Sequence, residues 1–110
     1  MNRRTYNKLI RDNICEIIKK DGAIPKISKL NDEQFKTALT EKLVEEAKEL
    51  VEAKTEEEIL NELADVMQLI ELIAFNNNLS VSDIEKQKEK KKQKRGAFEK
   101  KLFLEYVDEP

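Results

Sequence analysis

Five acids carry the chemistry that this chain could perform: Glu45, Glu46 and Glu49 in "EEAKEL", and Glu62 and Asp65 in "NELAD". On a helix, positions i and i+3 share a face. Converging carboxylates there offer the hard oxygen ligands that suit Mg²⁺, which keeps several waters and commonly joins carboxylates to substrate phosphates. The rest of the composition leaves little else. The chain has no histidine and a single cysteine, Cys15. Histidine triads, zinc sites built on histidine, the Glu-x-x-His pairs of di-iron bundles and thiolate clusters are therefore excluded.

The direction in which these acids point follows from the helical period of about 100° per residue. With Glu45 at zero, Phe35, Ala53, Leu39, Leu50, Leu43 and Ala47 fall between roughly 80° and 200°, and Glu46 falls near ~100°, inside that apolar arc. Glu49 lies at the edge of the arc, one turn from Glu45. With Glu62 at zero, Leu69, Ile73, Val66, Ile59, Ile70 and Leu63 span roughly −20° to 100°, so Glu62 is also within an apolar arc. Asp65 lies between Leu69 and Leu72. An E-x-x-E pair alone is ordinarily a solvated face. Two such pairs inside apolar arcs are different, because an isolated ionised carboxylate is strongly disfavoured away from water and needs a cation beside it. Lys42, Lys48 and Lys54 read as exposed partners of neighbouring acids, which leaves a divalent cation as the better match.

The elements that must position the acids are helical. Leu9, Ile10, Ile14, Ile17 and Ile18 predict a helix over 5–20, ended by "KKDG". Pro25 and the lack of a helical period make 23–31 a connecting, largely extended segment. A second helix runs from Asp32 to Ala53, capped by Asn31 or Asp32. Thr55 to Glu58 reads as a capping box for a third, which "NNN" at 76–78 ends. The short connection makes the second and third helices antiparallel neighbours. A box at Ser82 to Glu85 starts a polar helix that ends near Arg95, with Gly96 behind it. Phe98, Leu102, Phe103 and Leu104 form an apolar tail expected to dock on the bundle or on another chain. Tyr6, Phe98 and Tyr106 are read as packing residues before they are read as contacts to a nucleotide base.

Length and charge bound the rest. At 110 residues the chain is expected to be one domain over 1–110, small enough that its core would gain from a partner subunit. Charged residues make up 40% of it, yet the formal net charge is only −2, so bulk electrostatics favours neither nucleic acid nor a membrane. The longest apolar run, "LIELIAF", is far short of the roughly 20 residues that cross a bilayer. The start, "MNRRTYNKLIRD", lacks the apolar segment of a secretory signal, and a cytoplasmic location is expected.

The run E-E-x-x-E at Glu45, Glu46 and Glu49, twelve intervening residues, then E-x-x-D at Glu62 and Asp65 resembles the signature of MazG-like nucleoside triphosphate pyrophosphohydrolases. The opening "YNKLIRDNICEII" and the closing "KRGAFEKKL" resemble the ends of the phosphoribosyl-ATP pyrophosphohydrolase-like branch, so the likeness covers nearly the whole chain. Cys15 stands where that opening usually has proline, and Ala97 where the closing usually has a second glycine. Neither position is a proposed ligand.

The resemblance implies an all-α antiparallel bundle, dimeric or assembled from dimers, that hydrolyses a nucleoside triphosphate, or a phosphoribosyl-ATP-like nucleotide, to the monophosphate and pyrophosphate. It implies Mg²⁺, or Mn²⁺ in its place, held by Glu46, Glu49, Glu62 and Asp65, with Glu45 left to orient or deprotonate the attacking water. Removal of non-canonical nucleotides follows by family analogy only. Phosphates need cations too. Lys88, Lys91 and Arg95 share a helix face at i, i+3 and i+7, and Lys8 and Arg11 make a second pair. The competing reading is a non-catalytic nucleic-acid-binding module using the basic helix 86–95, which its scarcity of aromatics disfavours.

Overall fold

The computed structural model describes residues 2–110, and every regular element among them is a helix. These are α1 (Ile14–Lys20), α2 (Asp32–Glu52), α3 (Glu56–Asn76) and α4 (Val81–Arg95). The chain divides into two compact units, Met1–Asn78 and Leu79–Pro110.

In the first unit α2 and α3 pack on each other as a hairpin. Asn31 begins α2: its side chain accepts from the Gln34 N–H at 2.8 Å, and the Gln34 side chain accepts from the Asn31 N–H at 3.1 Å. Two of the donors that every helix start leaves open are thus satisfied. The chain then leaves the helix at Ala53 in an extended conformation and restarts at Thr55, whose hydroxyl accepts from the Glu58 N–H at 3.1 Å. Glu58 does not complete the expected box; its carboxylate accepts from the Lys54 N–H instead, at 3.3 Å. Three acids in the first turn of α3, Glu56, Glu57 and Glu58, suit the positive end of the helix dipole. At the far end the Asn76 and Asn77 amides donate to the Leu72 and Ile73 carbonyls, and Asn78 turns left-handed at φ 58°. That is how "NNN" ends the helix.

The helix expected over 5–20 shortens to Ile14–Lys20. Asn7 is left-handed at φ 47°, and a turn at 12–13 precedes the helix. Asn and Asp are weak helix formers, and a left-handed residue cannot belong to a right-handed helix, which outweighs the apolar spacing of Leu9 and Ile10. After α1, Gly22 at φ 88° closes a Schellman turn, with Gly22 N–H on the Lys19 carbonyl and Ala23 N–H on that of Ile18. Residues 23–31 carry no regular structure, as expected.

The buried apolar residues are few: Leu39, Leu69 and Ala74. Glu46 is buried with them. Val44 and Val51 on α2, and Leu60, Leu63 and Met67 on α3, remain exposed.

In the second unit, α4 starts two residues earlier than expected. Ser80, not Ser82, is the cap: its hydroxyl accepts from the Asp83 N–H at 3.0 Å, and the Asp83 carboxylate accepts from the Ser80 N–H at 2.8 Å. Those bonds hold the Asp83 carboxyl below its usual range. Glu85, the expected box residue, pairs with Lys88 at 3.3 Å. Gly96, at φ 82°, follows the last turn. The tail beyond it is exposed rather than packed: Phe98 retains 98% of its accessible surface, and Leu102, Phe103, Leu104 and Tyr106 are exposed as well.

Candidate metal centre

All five acids singled out in the sequence lie on the α2–α3 hairpin, and the fold brings them into two overlapping groups. One is Glu45, Glu46 and Glu49; the other is Glu46, Glu62 and Asp65, and in each a carboxylate oxygen per residue lies within 4.8 Å of the others. Glu46 belongs to both. It is only 6% exposed, as its position in the apolar arc of α2 requires. Glu45, Glu62 and Asp65 are half-buried, and Glu49 is exposed. The i, i+3 spacing on each helix, together with the direct packing of α2 on α3, produces this convergence.

The buried polar atoms test whether the group suits a cation. Glu46 Oε2 and Glu62 Oε2 are both shielded from solvent and have no hydrogen-bond partner among the described residues. Buried carboxylate oxygens are costly in that condition. A shared proton or a bound cation resolves it, and an all-oxygen donor set is what Mg²⁺ or Mn²⁺ accepts. The residues present fit such an ion.

Titration behaviour reflects the crowding. Glu62 is pushed up to about 7, first because a proton on it would bond to Glu46, then by burial and by the charges of Glu46 and Glu49. Glu49 is also raised, chiefly because a proton on it would bond to Glu46 as well. Burial pushes Glu46 upward, but those protons and the Lys42 ammonium outweigh it and hold that carboxyl low. Glu46 is thus the acid held toward its charged form, and Glu62 and Glu49 are displaced toward the protonated one, the usual outcome when like charges share one space.

Lys42 is a correction to the sequence reading. It is not an exposed partner: its side chain is half-buried, with Nζ 3.3 Å from Glu45 Oε1 and 3.4 Å from Glu46 Oε1. Burial opposes its charge, yet the bonds and charges of Glu45 and Glu46 raise its pKa. It compensates one edge of the cluster and leaves Glu46 Oε2 unpartnered. The i, i+3 and i+4 spacing from Lys42 to the two acids was the available signal. Lys48 and Lys54 are exposed, as read.

The opposite edge is held by Arg11. Its Nη2 donates to Asp65 Oδ1 at 2.5 Å, and its Nη1 donates to Gln68 Oε1. Gln68 had not been singled out, although it stands three residues after Asp65 on the same helix face. Beside the cluster lies an acidic cleft of about 290 Å³ lined by Glu49, Glu52, Ala53, Glu58 and Glu62, of which Glu52 and Glu58 were also missed.

The remaining basic candidates are exposed. Lys8 lies over the Tyr6 ring, 5.4 Å from its centroid, and Arg4 lies 5.1 Å from it. Tyr6, expected to pack, is exposed. Lys88, Lys91 and Arg95 are on α4 of the second unit, Lys88 paired with Glu85.

An all-α hairpin that gathers carboxylates around one buried glutamate defines the class of protein. The family model described as phosphoribosyl-ATP pyrophosphohydrolase matches residues 11–92, and the chain belongs to that family, in keeping with the MazG-like resemblance of its acid motif. All five acids, Lys42, Gln68, Lys88 and Lys91 fall within the match, which begins at Arg11; Lys8 and Arg95 lie outside it. Membership implies a hydrolase acting on the acid anhydride of a nucleotide. No curated protein and no solved structure matches the chain.

Proposed function

We propose that this protein hydrolyses a nucleoside triphosphate, or a phosphoribosyl-ATP-like nucleotide, between the α and β phosphates in a Mg²⁺-dependent reaction. One observation carries the reading: Glu46, buried, keeps an unpartnered oxygen within a ring of further carboxylates. Glu46, Glu49, Glu62 and Asp65 would hold the ion. When bound, Mg²⁺ offsets charge on the phosphates and acidifies a coordinated water.

The chain's own part is positional. Glu45, at the outer edge of the group, accepts a proton from the attacking water, and Lys42 keeps the Glu45 carboxylate in place at 3.3 Å. The water oxygen bonds to the α phosphorus as the bond to the bridging oxygen breaks, so pyrophosphate leaves and the monophosphate remains. Lys8, Lys88, Lys91 and Arg95 are the cations proposed to face the phosphates, Arg95 being suited to a bidentate contact. Clearing non-canonical nucleotides is the physiological role this activity suggests.

Product analysis tests the reaction directly. Monophosphate and pyrophosphate in equal amounts support cleavage at the α–β bond, and orthophosphate with a diphosphate contradicts it. Undiminished turnover in Glu45→Gln removes the base assignment.

The partner proposed is a second copy of the chain. Few residues are buried in one copy, while Val44 and Val51 on α2 and Leu60 and Met67 on α3 are exposed at helical spacing. Light scattering should give a dimer or a dimer of dimers; a monodisperse monomer at working concentration contradicts this.

A further inference from the structure

Arg11 departs from what a phosphate ligand would show, because two of its donors are committed to α3. Nη2 holds Asp65 Oδ1 and Nη1 holds Gln68 Oε1, so one planar fork grips two side chains a turn apart. Asp65 accepts on Oδ1 alone among the described residues, which leaves Oδ2 for another ligand. Asp65 also belongs to the group formed with Glu46 and Glu62. Arg11 on Asp65 and Lys42 on Glu46 do not balance these three carboxylates when all are ionised, and the excess negative charge favours a cation.

We infer that Arg11 is a positioning residue for the metal site: it fixes the Asp65 carboxylate through one oxygen so that the other is presented to a divalent cation. This rests on the metal reading above. The geometry has the form of other metal sites, in which a hydrogen-bond partner behind the ligand sets its orientation. It also assigns a purpose to the irregular segment before α1. The left-handed Asn7 and the turn at 12–13 interrupt the helix that the apolar spacing favours, and the segment so released carries Arg11 to α3. Arg11 repels a cation as a point charge, but it acts on one carboxylate while the ion meets several. Net attraction survives, and orientation is the gain.

Coupling between sites is reciprocal, so metal and segment must stabilise each other. The test is Mn²⁺ affinity by calorimetry on the full chain, with hydrogen exchange of the segment around Arg11 followed in parallel. Arg11→Ala should bind Mn²⁺ about 10-fold or more weakly. Arg11→Lys, which keeps the charge but not the fork, should remain weakened. Adding Mn²⁺ to the native chain should slow exchange around Arg11, and that response should vanish in Gln68→Ala plus Arg11→Lys.

Unchanged Mn²⁺ affinity in Arg11→Ala, or faster exchange around Arg11 on adding Mn²⁺, overturns the inference and leaves the metal reading standing. A native chain that binds no Mn²⁺ overturns both. Thermal melts of the metal-free variants separate a folding defect from an affinity loss: a variant that melts like the native chain yet binds weakly supports the positioning role.

Discussion

The α2–α3 hairpin and the unit from Leu79 onward are both dense in charge, yet they treat it in opposite ways. On the hairpin a carboxylate is buried among apolar side chains and further acids crowd around it. On α4 no residue is buried, and its charges lie in water, where the Glu85–Lys88 pair has both side chains more than 60% exposed. A surface pair of that kind contributes little to stability. A buried, incompletely partnered charge lowers stability and therefore indicates what the site is for.

The largest effect should come from breaking that asymmetry at Glu46. Glu46→Gln removes the carboxylate common to both acid groups, and pyrophosphate release should fall by about 100-fold or more, a few kcal/mol of lost transition-state stabilisation.

Next in size is Leu39→Ala. Leu39 is 1% exposed, and its loss from so small a core should cost about 2–5 kcal/mol in urea unfolding. The half-buried Ile84 on α4, truncated the same way, should cost less.

The acids also predict how stability varies with pH. Glu62 rises to about 7 in the folded chain from an ordinary 4.5, so the folded state holds a proton that the unfolded state has released over that interval. Metal-free stability should therefore fall as pH rises from about 5 to 7, and Glu49, also raised, acts in the same direction. Glu46 is lowered and contributes the opposite slope, below its ordinary range. Melting curves without metal should show the decline. Glu62→Gln should reduce it, and Mg²⁺ should offset it at neutral pH.

The smallest change belongs to the second unit. Replacing Lys88, Lys91 and Arg95 together with Gln should move folding stability by no more than about 0.5 kcal/mol, as for exposed side chains generally. It should instead raise KM for a triphosphate substrate. An unchanged KM would remove these residues from the phosphate site.

The same contrast explains what could be read from the sequence. The hairpin was legible because burial imposes a period: the arc that holds Leu39 and Leu50 also holds Glu46, so the helical period alone places that glutamate inside. Asn31 and Thr55 were equally visible, since capping is local chemistry. The start of α4 falls at Ser80 rather than Ser82 because Asp83 closes a box with Ser80, while Glu85 pairs with Lys88. Residues 5–13 were misread because Leu9 and Ile10 fit a helical spacing, while the left-handed Asn7 and the hold of Arg11 on α3 depend on backbone choice and on a residue 54 positions away. Periodicity ranks lysine as exposed and does not register that two acids, Glu45 and Glu46, can draw Lys42 inward. The tail is exposed on a single chain, so of the two docking places its composition suggests, a second chain is the one left.

The most direct test of the account is pyrophosphate release from a panel of natural and modified nucleoside triphosphates and phosphoribosyl-ATP, with and without Mg²⁺, beside Glu49→Gln. The account predicts release that requires the metal and disappears in the variant, with the panel ranking the substrates. No release from any nucleotide by the folded, Mg²⁺-supplied protein would contradict it and leave the inward acids without a function.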